Sequence, residues 1–270
     1  MGTIFDRDMA ECYKAWYFSP EGQAIERSIE EFIVPLLDPK RGDRILDIGC
    51  GSGNHLLLFS RLGLNVTGVD ASPYMINQAR ERLGSRCALK TGMAEDLPFD
   101  DNEFDLAVLI NTLEFLDDPL QALKEAGRVA NRKVFIGVIN SASWSGLRKR
   151  FSGYLGDPLF SHARFYNLWK VKFLVSAAYG PIPMSWRCTQ ICPSFVGRLG
   201  FFSKNSWNSK HAPFGSFLWL SATMAYRVKT ENLPLKIRLK KAGQPVLGGN
   251  AMEDFPAKGL NGDGRSLLSL

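Results

Sequence analysis

Apolar runs alternate with amphipathic segments between residues 44 and 139, and this alternation predicts an α/β fold. Five short runs rich in Ile, Leu and Val are typical of buried strands, at residues 44–48, 65–69, 87–89, 105–110 and 134–139. Apolar residues at helical spacing separate them and predict helices at residues 54–62, 72–83 and 119–129. Elements in this order predict a doubly wound, mostly parallel sheet with helices on both faces.

The segments outside this core have weaker patterns. Residues 5–37 predict helices that lead into the first strand, and residues 165–178 predict a further helix. Residues 184–191 and 214–228 favour two more strands. Residues 242–270 are dominated by Gly, Pro, Asn, Asp and Ser, which predicts a disordered tail.

A glycine-rich turn connects the first predicted strand to the helix after it. Gly49, Gly51 and Gly53 occupy alternate positions, and glycine allows both a tight turn and the close approach of a ligand to the backbone. A strand, a glycine-rich turn and a helix N-terminus together predict a nucleotide site. Asn54 stands where a dinucleotide-binding fingerprint has its third glycine, and this disfavours NAD.

Three further features follow at ordered positions. Asp70 ends the second apolar run, about where nucleotide-binding motifs have an acidic residue that accepts hydrogen bonds from the ribose hydroxyls. The segment 92–99 follows the third predicted strand, and the run 104–110 ends at Asn111. In this order the motifs resemble the class I S-adenosylmethionine (SAM)-dependent methyltransferases, most of all those of quinone biosynthesis. The resemblance covers about residues 10–140.

The resemblance implies SAM as cofactor and S-adenosylhomocysteine (SAH) as product. In this resemblance Asp47 would bind the ammonium group of SAM, and Asp70 would accept hydrogen bonds from the ribose hydroxyls. Ala94 and Glu95 would contact the edge of the adenine ring. Related sequences usually have an acidic residue where this chain has Met93. The implied cofactor-binding residues are Tyr13, Trp16, Tyr17, Asp47, Gly49, Cys50, Gly51, Gly53, Asn54, His55, Asp70, Ala71, Met75, Ala94, Glu95 and Asn111.

The same resemblance implies a division of the chain. Residues 1–40 would form a helical lid whose aromatic side chains cover the cofactor, and residues 41–140 the SAM-binding core. Residues 141–241 would form a variable substrate cap and the antiparallel hairpin that completes a seven-stranded sheet. The predicted tail follows at 242–270.

No general base stands out in the sequence. Methyl transfer is a displacement at an already activated carbon, so positioning and exclusion of water can supply most of the rate. The candidate catalytic residues are His162, Tyr166 and Glu114. No metal is expected, because the five cysteines lack the second Cys or His pair of a zinc site.

The charges are divided unevenly between the halves. Residues 1–130 hold 13 Lys and Arg against 22 Asp and Glu, whereas residues 131–270 hold 20 against 5. The basic half includes Arg148-Lys149-Arg150 among aromatic residues, which favours an anionic membrane surface or another anionic partner. Solvated lysines over an ordinary core explain the same charges equally well.

The expected acceptor is a small, hydrophobic, lipid-like or quinone-like molecule. Two alternatives remain: a SAM-binding regulator or scaffold without transferase activity, and an RNA methyltransferase. The sequence after the fourth predicted strand lacks the Asn/Asp-Pro-Pro-aromatic motif of base-methylating enzymes, so nucleic acid is disfavoured. No apolar run approaches the ~20 residues that span a bilayer, so the expected location is the cytoplasm or the membrane periphery.

Overall fold

The computed structural model describes residues 4–143, residue 147, residues 163–189 and residues 213–224. The strands are β1 (Arg44–Ile48), β2 (Asn65–Asp70), β3 (Ala88–Thr91), β4 (Phe104–Ile110), β5 (Ala130–Ile139), β6 (Met184–Thr189) and β7 (Phe217–Thr223). The helices are α1 (Arg7–Tyr17), α2 (Pro20–Leu37), α3 (Asn54–Arg61), α4 (Pro73–Leu83), α5 (Pro119–Val129) and α6 (Leu168–Tyr179). Two short 3₁₀ turns lie at Gly84–Arg86 and Leu113–Phe115.

The strands form one sheet in the order β3-β2-β1-β4-β5-β7-β6. The first five strands are parallel, and β7 runs antiparallel to both of its neighbours. This arrangement confirms the predicted doubly wound, seven-stranded fold with its antiparallel C-terminal pair. The strand order reverses between β1 and β4, and ligands of open α/β sheets bind at such a switch point.

The hydrophobic core lies on both faces of the sheet. Neighbouring residues of a strand point to opposite faces, so Leu46 and Ile48 pack with α5 and α6 while Ile45 packs with α2, α3 and α4. Nearly all central strand positions are buried, as a parallel sheet covered on two faces requires. The packing fixes the strand ends, and therefore the loops that follow them.

Side-chain caps set where several helices begin. Ser72 accepts a hydrogen bond from the Met75 N–H at 3.2 Å at the start of α4, and Pro73 occupies the first helical position. Asn167 caps α6 in the same way through the Lys170 N–H at 2.9 Å. The helix predicted from residue 165 therefore starts later, because Tyr166 instead forms a parallel bridge with Asn140 at the end of β5.

Several predictions fall on residues outside those described. They concern His162, the basic stretch at 148–150 and the tail at 242–270. Across the described ranges, no helix is long and apolar enough to cross a membrane.

Candidate functional site

A cleft opens at the carboxyl ends of β1, β2 and β4, where the strand order reverses. It encloses about 880 Å³, including the solvent at its mouth. Twelve of the sequence-predicted cofactor residues line it together: Tyr13, Gly49, Cys50, Gly51, Asn54, His55, Asp70, Ala71, Met75, Ala94, Glu95 and Asn111. Loops far apart in the sequence thus meet at the one edge of the sheet that the motifs indicated.

Asp70 joins the glycine-rich turn to the end of β2. One carboxylate oxygen accepts the Gly51 N–H at 2.8 Å, and the other accepts the Ser72 N–H at 2.9 Å. Burial raises the pKa of this carboxyl group, and the two N–H donors partly offset that effect. A carboxylate has about four acceptor positions, so both oxygens can still bind ligand hydroxyls.

Gly49 is required by the turn for two reasons. Its φ of +74° lies in the left-handed region, and a Cβ there would collide with the side chain of Thr112. Thr112 is itself held in place, because its hydroxyl donates to the Ile48 carbonyl at 2.9 Å. The turn and the loop after β4 are therefore packed directly against each other.

Asn111 begins the loop after β4 in a left-handed conformation, with a φ of +55°. Tyr13 lies near its side chain, and burial raises the pKa of the Tyr13 hydroxyl. The Asn111 Oδ1 atom is buried and has no hydrogen-bond partner in the described part of the chain. Because a buried acceptor without a donor is costly, this atom is a candidate ligand contact.

Aromatic side chains cover one side of the cleft. Phe5 packs edge-to-face on Phe115, with ring centroids 5.0 Å apart, and on Tyr13 at 5.9 Å. The Ser72 hydroxyl donates to the Phe5 carbonyl at 2.6 Å, which fixes the chain before α1. Sequence reasoning missed Phe5, because nothing local indicates a contact with a residue 67 positions away.

The adenine side predicted from the sequence consists of Met75 and the segment after β3. Met93 lines the cleft and is 38% exposed, so the position that is usually acidic here presents a thioether. Glu95 also lines the cleft, and its Oε2 is buried without a hydrogen-bond partner among the described residues. This oxygen is free to accept a donor such as an amino group.

His55 lies between two carboxylates. Its Nε2 is 3.6 Å from Glu26 Oε2, and its Nδ1 is 3.9 Å from Asp47 Oδ2. Burial alone would lower the pKa of His55, but Glu26 and Asp47 outweigh burial and raise it. Burial raises the pKa of Asp47 to about 6, although His55 opposes the shift.

Four predicted cofactor residues do not line the cleft. Asp47 is 1% exposed and is not among the wall residues, but both of its side-chain oxygens are buried without hydrogen-bond partners in the described ranges, so its contact with the ammonium group stays a prediction. Gly53 caps α3, and a Cβ on it would meet Leu83 Cδ1 at 2.6 Å, so this glycine serves helix packing. Of the three lid aromatics only Tyr13 reaches the wall, while Trp16 packs on Tyr13 with ring centroids 5.5 Å apart and Tyr17 is buried.

Two of the three catalytic candidates also lie away from the cleft. Glu114 is 1% exposed and accepts the Ile139 N–H at 2.8 Å. Tyr166 is fully buried, and its hydroxyl donates to the Leu113 carbonyl at 3.1 Å. The Glu114 side chain ties β5 to the loop after β4, the Tyr166 hydroxyl ties the segment before α6 to the same loop, and a catalytic role for either stays a prediction. His162 lies outside the described residues.

These observations fit the cofactor that the sequence predicts. A carboxylate stands at the end of β2 for a ribose, the turn leaves room beside its backbone, and two buried oxygens need donors. SAM offers such donors in its ribose hydroxyls, its amino group and its ammonium group. Among the described residues there is no group of three His, Cys, Asp or Glu side chains that could hold a metal.

Comparisons with known proteins agree with the geometry. Residues 46–136 match the family described as a methyltransferase domain. An uncharacterised protein of Methanocaldococcus jannaschii is 34% identical over 168 residues, which is 60% of this chain and 76% of that protein. A chloroplastic 2-methyl-6-phytyl-1,4-hydroquinone methyltransferase of Oryza sativa is 34% identical over 112 residues, but these cover only 37% of this chain and 31% of that protein.

Solved structures share the fold. A SAM-dependent methyltransferase of Thermotoga maritima, described as a possible histamine N-methyltransferase, superposes with a TM-score of 0.62 at 22% identity. The match covers 80% of this chain and 95% of that one. At this identity the likeness concerns the architecture alone.

Proposed function

Because this chain belongs to the class I SAM-dependent methyltransferases, we propose that it methylates a small hydrophobic acceptor of lipid-like or quinone-like character. SAM is the cofactor, and when bound it supplies a methyl group on a positively charged sulfur. The acceptor class is our inference.

The apolar wall of the cleft carries this proposal. Phe5 and Phe115 form an edge-to-face pair, and Ile4 and Leu116 line the cleft beside them. Ile4 is 45% exposed. A ligand that covered this side chain would gain about 25 cal/mol for each Å² of apolar surface that it buries. A wall of this kind favours an acceptor that buries apolar area over one recognised by charge.

The residues of this chain position and enclose the reactants. Asp70 and the glycine-rich turn hold the ribose of SAM. Glu95 and the Ala94 backbone hold its adenine, and Asn111, after β4, faces the cleft. Phe5 and Tyr13 exclude water from above, which fits the predicted lid. Methyl transfer is a displacement at an already activated carbon, so this positioning and the exclusion of water can supply most of the rate.

The membrane periphery is the proposed place of action. Residues 163–189 contain four Lys and Arg and no Asp or Glu, and α6 exposes Trp169 by 59% and Phe173 by 71%. Aromatic side chains beside lysines are typical of segments that bind anionic lipid surfaces. An apolar acceptor would be concentrated in such a membrane.

The name of the rice hydroquinone methyltransferase describes a lipid-like acceptor. This enzyme is a distant relative, and it supports the acceptor class only to that extent. The quinone-type subgroup is likewise our proposal. The Arg- and Lys-rich half would also attract RNA, but such binding is independent of sequence and sensitive to salt.

A turnover panel tests the acceptor. The full chain is incubated with SAM and, separately, a prenylated hydroquinone, a sterol, a polar phenol and a structured RNA, and methylated product is detected by mass spectrometry. Methylation of the prenylated or sterol acceptor in preference to the phenol supports the proposal. Methylation of RNA alone would replace it with the nucleic-acid alternative. SAH binding without turnover of any acceptor would favour the regulator or scaffold.

Co-sedimentation tests the location. The chain should pellet with vesicles of phosphatidylcholine and phosphatidylglycerol at 3:1, and less with pure phosphatidylcholine. A Trp169→Ala/Phe173→Ala variant should lose this binding. If that variant instead abolishes a dimer seen by analytical ultracentrifugation, the exposed face pairs two copies of the chain.

A further inference from the structure

Two side chains that line the cleft carry a buried oxygen atom without a hydrogen-bond partner among the described residues. They belong to Glu95, after β3, and to Asn111, after β4. We propose that the Oδ1 atom of Asn111 accepts a hydrogen bond from a hydroxyl group of the methyl acceptor, and that it selects acceptors which carry such a group. This assignment rests on the SAM site and the apolar acceptor class proposed above.

The hydrogen-bond donors of SAM have other acceptors in the site. Asp70 is the proposed contact of the ribose hydroxyls, and Glu95 that of the adenine amino group. The ammonium group is predicted to meet Asp47, whose two oxygens are buried without partners in the described ranges. A carboxylate binds a charged donor more strongly than a neutral amide does. The amide oxygen of Asn111 is therefore left for a donor that SAM does not supply.

Asn111 lies between the cofactor side of the cleft and its apolar wall. The next residue, Thr112, packs directly on Gly49 of the glycine-rich turn. Four positions after Asn111, Phe115 forms the wall together with Phe5. Because the methyl donor and its acceptor must meet between these two sides, a side chain in this position can contact the acceptor.

The backbone holds the Asn111 side chain in a defined place. Its N–H donates to the Gly137 carbonyl of β5 at 2.9 Å. Three positions later in the same loop, the Glu114 carboxylate accepts the Ile139 N–H at 2.8 Å. A group that is already fixed loses little conformational freedom when a ligand binds, so its hydrogen bond can contribute more to affinity.

The chemistry of an amide defines what this contact does. An amide oxygen accepts a hydrogen bond, and the asparagine side chain does not titrate, so Asn111 orients the hydroxyl group and does not ionise it. An acceptor without a donor would leave Oδ1 buried and unpaired, which costs free energy. The contact therefore narrows the acceptor class to apolar molecules with a free hydroxyl group, such as a hydroquinone or a sterol.

Acceptor binding to the SAH complex tests the contact without turnover. Calorimetry on SAH-saturated protein compares dimethylallyl hydroquinone with dimethylallyl benzene, which lacks both hydroxyls, and a sterol with its 3-deoxy analogue. Each pair gives a ratio of affinities, and comparing that ratio between proteins cancels the intrinsic difference between the two probes. Asn111→Gly should lower the ratio roughly ten- to a hundredfold, because the hydroxyl loses its partner. The affinity for SAH should change little.

Three matched variants separate this contact from other effects. Glycine accepts the φ of +55° at position 111 without strain, and Asn111→Asp, which keeps an acceptor oxygen and tolerates this conformation, should retain the ratio. Asn102 has a φ of +58° in an exposed turn before β4, so Asn102→Gly should change neither the ratio nor SAH binding. Glu95→Ala should show the reverse of Asn111→Gly, with weaker SAH binding and an unchanged ratio.

Several results would overturn the assignment. An unchanged ratio in Asn111→Gly would mean that Oδ1 does not contact the hydroxyl, and weaker SAH binding in the same variant would assign the atom to the cofactor. A higher ratio would mean that the amide presents its N–H to the acceptor. Equal losses for SAH and all probes would mean that Asn111 only maintains the loop.

Failure of the underlying proposals has a different signature. If the wild type bound SAH but neither the hydroquinone nor the sterol, the apolar acceptor class would be wrong, and the Asn111 contact would be rejected with it. If the wild type did not bind SAH, the cofactor assignment itself would be wrong.

Discussion

The backbone N–H of Gly51 donates a 2.8 Å hydrogen bond to the carboxylate of Asp70, and this bond joins the ends of β1 and β2. The same carboxylate lines the cleft. Asp70 therefore stabilises the glycine-rich turn, and the same carboxylate is the proposed contact for the ribose. The two functions explain why a short carboxylate is needed at this point.

Replacing Asp70 tests that contact. Asp70→Asn keeps the shape of the side chain but removes the charge and part of the acceptor capacity, so SAH affinity should fall by at least about tenfold, and Asp70→Ala should abolish measurable binding. Titration calorimetry measures this effect. Asp105→Asn is the control, since Asp105 accepts the Arg44 N–H at 2.8 Å away from the cleft. Undiminished affinity in Asp70→Asn and Asp70→Ala would remove the ribose assignment.

Alanine substitutions at Gly49 and Gly42 distinguish the cost of backbone strain from the cost of a steric clash. Both have positive φ, at +74° and +89°, but only a Cβ at Gly49 would meet Thr112. Gly42→Ala should lower the free energy of unfolding by about 1–2 kcal/mol, and Gly49→Ala by more. Denaturant titration gives both values. Gly49→Ala should also impair SAH binding; equal stability losses with intact binding would contradict the packing described.

Asp47 should make stability depend on pH. Its folded pKa of about 6 lies above the ordinary value of 3.8, so its contribution is present below the unfolded pKa and is lost as pH rises through about 6. The loss is on the order of 3 kcal/mol, from a shift of about two pKa units. Unfolding in urea between pH 4 and 7 should show a shallower decline in Asp47→Asn. Parallel curves for the two proteins would contradict this pKa.

Arg128 holds the loop that follows Glu95. Its guanidinium donates to the carbonyls of Phe99 at 2.8 Å and Leu97 at 3.0 Å and forms a paired contact with Glu125. Lysine cannot reproduce this planar set of donors, so Arg128→Lys should cost about 2–3 kcal/mol of unfolding free energy.

The control for that substitution is Arg44→Lys. Arg44 pairs with Asp105 at 3.4 Å and is about half exposed, so its loss should cost less than about 1 kcal/mol. Thermal or denaturant unfolding of the two variants gives the comparison. A similar cost for both would mean that the Arg128 hydrogen bonds do not stabilise the loop.

Phe5 tests the proposed lid. Removing its ring by Phe5→Ala opens the aromatic cover next to Phe115, so SAH should dissociate faster with little change in association. Stopped-flow measurements with SAH give both rates. Phe18→Ala, at a position 63% exposed, should leave them unchanged. An unaltered dissociation rate in Phe5→Ala would mean that the segment before α1 does not retain the ligand.

Much of the fold followed from local chemistry. The limits of β1 and α5 agree with those predicted, because an apolar run and an N-cap with proline in the first turn mark them locally. Boundaries moved where a partner from elsewhere intervened. Tyr166 is the example, since its bridge to Asn140 delays the start of α6.

The candidate site also contains residues that the sequence identified and contacts that only the fold shows. Gly49 and Asp70 were recognisable because their chemistry depends on backbone conformation and on the end of a strand, which sequence spacing reveals. The structural hydrogen bonds of Glu114 and Tyr166 were not foreseen, because they reach across 25 and 53 residues to the backbone. No local pattern distinguishes a buried structural tie from a residue facing a cleft.

The sequence by itself determined the alternating elements, the glycine-rich turn and the carboxylate at the end of β2, because each depends on residues adjacent in the chain. The tertiary structure alone decided which side chains share the site. It placed Glu26 of α2 and Asp47 of β1 on either side of His55, and it placed Phe5 on Phe115. Such contacts arise when the core brings distant segments together, and burial then sets the strength of the charges among them.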